Sequence, residues 1–224
     1  MNLSGKPPIY KKIFERAKPY LGVRNNLVHT QIALRYALKL LEQEKGDESV
    51  ILPAVILHDV GWKTIPEDLI LKTFGPHPSH PELARVHELE GAKIARRILE
   101  ELRYPSGMVR EICRIIRGHD SRNKPISQND RIVKDADKLF RYSRRGFAIE
   151  LGWFPVPPER FLKAFEKKIE EWFLLPSSRE LARREFAQRR KEWLGRCGKT
   201  RYSPGKRRKG RGVKTKISVF NVRR

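Results

Sequence analysis

The sequence predicts an all-α protein: a helical bundle with a C-terminal helical extension and a basic tail. Three observations carry this reading. Apolar residues recur at helical spacing along nearly the whole chain. Prolines, glycines and aspartates cut that pattern into pieces of helix length. Strand alternation is convincing nowhere, and the one candidate, Ile217–Val222, sits isolated near the C-terminus.

The elements follow in order. Ile9, Ile13, Phe14, Ala17 and Leu21 define a first helix over Ile9–Leu21, which Pro19 ends or bends. A second runs from Asn25 to Glu44 with Val28, Ile32, Tyr36 and Leu40 on one face. Gly46-Asp47 closes it, and Asp47 is placed to cap the third. That third helix, Glu48–Val60, is apolar nearly all round, which predicts a buried centre, and Gly61 stops it. Pro66, Pro76, Pro78 and Pro81 leave room for a short helix over Pro66–Phe74 and then a loop. Longer helices are expected over Pro81–Leu102 and Ser106–Gly118 and, after the loop Asp120–Asn129, over Asp130–Arg144. Gly152–Pro158 reads as a break, followed by helices Pro158–Phe173 and Ser177–Trp193. The domain division expected is 1–150, a helical extension over 151–194 packed on it, and a tail over 195–224 disordered when alone.

A chain of 224 residues suits one substantial core. Its formal charge of +23 is unevenly spread, because residues 196–224 hold 12 Lys and Arg and no acid. The remaining +11 still makes the body basic, so anionic partners are expected throughout. Cys113 and Cys197 stand far apart, which excludes a zinc ribbon or a disulfide framework and fits a reducing compartment. Met1–Pro8 has no apolar signal core, and no apolar run approaches the roughly 20 residues of a membrane span. The expectation is a soluble cytoplasmic protein.

Polar residues inside apolar segments point to the chemistry. His58-Asp59 follows Pro53-Ala54-Val55-Ile56-Leu57, and burying two polar groups there is costly unless they have partners. A metal ion would be such a partner. His29 lies beside Val28 and Ile32 on the second helix, and Asp137 sits in Asp135-Ala136-Asp137-Lys138-Leu139. Asp135 and Asp137 are two apart and face different ways on a helix, so one enters a site and the other caps or supports. A His/His/Asp/Asp set with open positions suits Lewis-acid hydrolysis rather than a closed structural site.

This order of His, then His-Asp, then a distant Asp, all on helices, resembles the HD-domain superfamily of metal-dependent phosphohydrolases over about residues 20–145. The resemblance implies an HD-type bundle and the ligands His29, His58, Asp59 and Asp137, the last by match to the second Asp of its motif. Binuclear members add two histidines between the His-Asp pair and the final Asp, and His87 and His119 occupy those slots. The resemblance further implies one or two divalent ions, Mn, Fe, Co or Ni with Mg possible, since ligand type alone rarely selects among them. The expected substrate is a nucleotide or other small phosphorylated metabolite, cleaved at a phosphoester or phosphoanhydride bond by metal-activated water. Asp59 is expected to orient that water, and Lys63 and Lys138, with Arg117, to neutralise phosphoryl charge.

Some single-metal HD nucleotidases place a Glu shortly after the His-Asp pair. Here Val60-Gly61-Trp62 follows, leaving Glu67 and Asp68 as distant substitutes. Trp62 is placed to stack on a base or to cap the core. His77 and His80 lie in a Pro-rich loop and read as surface residues, with a lid as the sharper option. Two other readings compete. One is a nucleic-acid or polyanion-binding protein on a non-catalytic HD scaffold, with weak contact through 196–224. The other is a regulatory helical domain, which predicts that the candidate ligands do not converge.

Overall fold

The computed structural model describes residues 3–74, 78–153 and 156–197. Among the described residues there are ten α-helices and no strand: α1 Pro8–Ala17, α2 Asn26–Leu41, α3 Glu48–Leu57, α4 Glu67–Ile70, α5 Glu82–Glu101, α6 Ser106–Ile116, α7 Gln128–Leu139, α8 Arg144–Trp153, α9 Pro158–Trp172 and α10 Pro176–Cys197. Short 3₁₀ turns at Lys18–Tyr20, Val60–Thr64 and Phe140–Tyr142 redirect the chain. The tail beyond residue 197, and with it the candidate strand Ile217–Val222, lies outside the described residues.

α3 is the axis of the bundle. Every residue from Val50 to Leu57 is buried, and α1, α2, α6 and α7 pack around it. Each fully buried aliphatic side chain there contributes about 1.5–3 kcal/mol. The helix starts where Asp47 accepts from Ser49 N at 2.9 Å, as the sequence predicts. Pro53 stands inside α3 and has no N–H to give to Ser49 O. The Tyr104 hydroxyl donates to that carbonyl instead, at 2.6 Å, so the proline leaves no orphaned group.

α7 divides its faces among three tasks. Asp137 points inward to α2, while Asp135 accepts from Leu174 N at 3.0 Å and Leu175 N at 2.9 Å, tying down the turn between α9 and α10. Lys134, 3% exposed, donates to the carbonyls of Gly118, His119 and Arg122 at 2.6, 2.6 and 2.9 Å. One face therefore supports the centre, one anchors the extension and one fixes the turn after α6. The apolar cluster continues from α1 through Phe161, Phe165, Phe173 and Phe186, so α9 and α10 share the bundle's core.

One helix was not anticipated. The expected helix Asp130–Arg144 ends early, because α7 stops at Leu139 and Ser143 takes an extended conformation, and a further helix, α8, begins at Arg144. Ser143 Oγ then accepts from Gly146 N at 3.0 Å and starts α8 as an N-cap. Of the remaining ends, α2 stops three residues before the expected Glu44, and α1 gives way to a 3₁₀ turn at Lys18, just before Pro19.

Candidate metal centre

The polar residues singled out in the sequence come together at the heart of this bundle. His29 is on the buried face of α2, His58 and Asp59 end α3, His87 is in the second turn of α5, His119 follows α6, and Asp137 is on α7. All six are buried.

They form two groups joined by one carboxylate. In the first, His29 Nε2 lies 2.9 Å from His58 Nε2 and 3.0 Å from Asp137 Oδ1. Asp59 Oδ2 is 3.6 Å from each of those two nitrogens, and His58 Nε2 is 3.6 Å from Asp137 Oδ1. In the second, His87 Nε2 and His119 Nε2 are 3.3 Å apart and lie 3.9 and 3.5 Å from Asp59 Oδ1. Asp59 thus turns one oxygen to each group.

The donor set fits divalent cations. His58 Nδ1 is 2.8 Å from Val55 O and His119 Nδ1 is 2.9 Å from Ile116 O. A neutral ring that spends its N–H on a carbonyl turns a bare Nε2 lone pair inward, the usual outer arrangement of a metal-ligating histidine. Nitrogens and carboxylate oxygens facing one another at 2.9–3.6 Å in the first group have the spacing of neighbours around an ion whose bonds are about 2.0–2.2 Å long.

The electrostatics show what a cation would relieve. Burial opposes charge on both carboxylates, but His58 and its neighbours hold Asp59 well below the usual range, and His29 and His58 do the same for Asp137. Burial pulls His119 down, yet the charges of Asp120, Asp59 and Glu88 outweigh it and push the ring up to about 10. His87 falls to about 4, from burial and from its neighbour His119. A proton on His119 and a divalent ion compete for the same nitrogen.

Several groups at the site escaped sequence reasoning. Asp120 Oδ2 lies 3.5 Å from His87 Nε2 and 3.7 Å from His119 Nε2, with its side chain 42% exposed. The signal was present, since the His-Asp dipeptide occurs twice, as His58-Asp59 and His119-Asp120. Glu88 is fully buried and accepts from Asp120 N and Ser121 N at 2.8 and 2.9 Å, bracing the turn that carries His119. Arg24 Nη1 is 3.8 Å from Asp59 Oδ2, and its guanidinium lies 4.3–5.1 Å from the Phe74, Trp62 and Trp153 rings. Arg24 and Asn25 both have left-handed backbone, φ 51° and 58°, an uncommon cost for non-glycine residues at the entry to α2. Arg141 pairs with Glu150 at 3.3 Å, and Asp137, Asp120 and Asp59 help to raise its pKa.

The remaining expected residues have other surroundings. Lys138 donates to Trp172 O at 3.1 Å, at the C-terminus of α9, and so serves the extension. Lys63 is exposed and makes no ion pair with the cluster's carboxylates. One residue along a helix turns the side chain by about 100°, which carries Lys138 off the Asp137 face. Among the described residues, Arg24 and Arg141 are cations beside the cluster. Glu67 and Asp68 are exposed, and Asp68 pairs with Lys72 at 3.8 Å. Trp62 is 2% exposed, donates from Nε1 to Asp59 Oδ1 at 3.0 Å and stacks on His87 at 4.0 Å, so it braces two candidate ligands and is closed to a base. His80 pairs with Glu82 at the surface, and His77 lies outside the described residues. The regulatory reading required the ligands to stay apart, and they converge.

A buried two-part His/Asp centre inside an all-α bundle defines a class of metal-binding helical scaffold. The comparisons identify it: the HD domain family model matches residues 26–142, and the chain belongs to that family, whose domains bind divalent metals. In fold it is similar to the 1.45 Å crystal structure of a predicted HD superfamily hydrolase from an uncultured Thermotogales bacterium, with a TM-score of 0.59 and 21% identity over 88% of this chain and 97% of that one. No curated protein matches. No helix among the described residues is long and apolar enough to cross a membrane.

Proposed function

We propose that the protein is a metal-dependent phosphohydrolase that takes two divalent ions and cleaves a phosphoester or phosphoanhydride bond of a nucleotide or another small phosphorylated metabolite. The observation that carries this reading is Asp59, whose two oxygens face separate histidine groups. His29, His58, Asp59 and Asp137 would hold one ion, and Asp59, His87 and His119, with Asp120, the other. When bound, the ions supply Lewis acidity and lower the pKa of a water.

The chain's own groups have separable roles. The carbonyls of Val55 and Ile116 fix the ring orientations of His58 and His119. Trp62 fixes Asp59 through the oxygen that faces the second group. Arg24, 3.8 Å from Asp59, and Arg141, paired with Glu150 within electrostatic reach of the cluster, offset negative charge accumulating on a transferring phosphoryl group. Asp120, the most exposed carboxylate here, is placed to accept a proton from the attacking water. Manganese, iron, cobalt and nickel match this N/O donor set, and magnesium fits it less well.

The test is metal content of the purified protein, alongside hydrolysis of a nucleotide panel and a generic phosphodiester, in wild type, His58→Ala and Asp137→Ala. Near-stoichiometric metal with activity lost in both variants is expected. Absence of metal under every reconstitution would overturn the reading.

A further inference from the structure

Outside the cluster, the turn that carries His119 and Asp120 has a second concave face. It forms a cavity of about 340 Å³ lined by Arg85, Arg114, Arg117, Arg122, Ser121 and Ile126. The arginines arrive from three places: Arg85 from α5, Arg114 and Arg117 from the end of α6, and Arg122 from the turn. Compensation of the α6 dipole accounts for cations at that helix end. It does not account for Arg85 and Arg122 converging on the same space.

Two of the four are committed to acids. Arg85 Nη1 donates to Glu88 Oε2 at 2.7 Å and to Ser121 Oγ at 3.2 Å, and also to Arg117 O. Arg122 donates from Nη2 to Asp130 Oδ2 at 2.7 Å and from Nη1 to Arg114 O at 3.0 Å, while its Nε is buried with no partner. Glycine at 118 makes room for this, because a Cβ there would run into the Arg122 guanidinium. Arg114 and Arg117 are exposed, lie three apart on one helix face and have no acidic partner within ion-pair distance among the described residues. Asp120 is turned to His87 and His119, and Glu111, three residues before Arg114, accepts from Ser127 and Asn129. The cavity therefore carries two uncompensated guanidinium charges on a preformed frame, beside an exposed apolar residue, Ile126. Guanidinium pairs in fixed positions suit phosphate oxygens.

We propose that this arginine cleft is an anion subsite that holds a phosphate group of a polyphosphorylated ligand. Glu88 braces the turn that supplies Ser121 to the cleft and carries His119 on its other side.

Full-length protein, freed of metal with a chelator, is titrated calorimetrically with inorganic tripolyphosphate. Wild type is compared with Arg114→Gln/Arg117→Gln and with Arg110→Gln/Arg131→Gln, which removes the same charge from exposed positions outside the cleft. The cleft variant is expected to bind about tenfold or more weakly, since charge-assisted hydrogen bonds are among the stronger ones, and the control to bind like wild type. Equal loss in the two variants, or no loss in the cleft variant, overturns the subsite.

Discussion

Substituting Gly61 by alanine tests how the bundle brings the two halves of the centre together. The 3₁₀ turn Val60–Thr64, directly after Asp59, packs against α5 backbone to backbone. A Cβ at Gly61 would overlap the carbonyl oxygen of His87 and fall 2.6 Å from Gly91 N and 2.9 Å from Gly91 Cα. Ordinary Cβ contacts begin near 3.4 Å, so α5 must retreat by about 0.8 Å at Gly91, and by more at His87 itself. Backbone atoms cannot rotate away as a side-chain tip can. Overpacking of this kind costs about 1–3 kcal/mol, which lowers Tm by roughly 2–12 °C in a protein of this size. The displacement falls on His87, whose Nε2 stands 3.3 Å from His119 Nε2. The first group, on α2, α3 and α7, is not pushed directly. Gly61→Ala should therefore fall from two ions per chain to one, measured by elemental analysis of purified protein, with Gly22→Ala, where a Cβ meets nothing within 4 Å, as control. Two retained ions with an unchanged Tm would refute this account of the turn against α5.

Three further outcomes follow. Lys134→Met strands three buried carbonyls and should cost about 2–4 kcal/mol in urea unfolding, moderated because a buried ammonium is no longer desolvated; a loss below about 0.5 kcal/mol would show the turn at 118–122 to be held by other means. Asp135→Ala leaves Leu174 N and Leu175 N without their acceptor, so limited proteolysis near the α9–α10 turn should accelerate while metal content stays at the wild-type value. In the metal-free protein, His119 is held up at about 10 against an unfolded value of about 6.5. A raised folded pKa gives stability that is complete below the unfolded value and is lost as pH climbs toward the folded one. Tm of chelated protein should then decline between pH 6.5 and 10, and His119→Gln should flatten that decline; an equal slope in the variant would place the linkage elsewhere.

Which parts of this were readable in the chain depends on how local the cause is. α3 was legible because eight consecutive buried residues leave no polar face to disguise, and its His-Asp end stands out against them. The split between α7 and α8 was not, because it turns on Ser143 capping Gly146, a single hydrogen bond inside a run with helical periodicity. Among the candidate ligands, His29 and His58 stand out beside apolar residues, whereas His87, next to Glu88, and His119, between Gly118 and Asp120, are marked only by the family pattern. The arginines were missed. With 49 Lys and Arg in the chain, sequence proximity to a motif says little, and it favoured Lys63, which is exposed, and Lys138, which donates to Trp172 O. Arg24 and Arg141 reach the cluster through backbone geometry, left-handed φ at 24 and 25 in one case and a 3₁₀ turn after α7 in the other. Asp120 lies between these cases: its pairing with His119 repeats the His58-Asp59 dipeptide, and the same local rule applied twice would have named it. A repeated dipeptide at two helix ends, each with its histidine Nδ1 on the carbonyl three residues back, means that the two halves of the centre are built by the same local device. Asp59 is what couples them, and a loss at Asp59 should therefore empty both positions, whereas a loss at His29 or His87 should empty one.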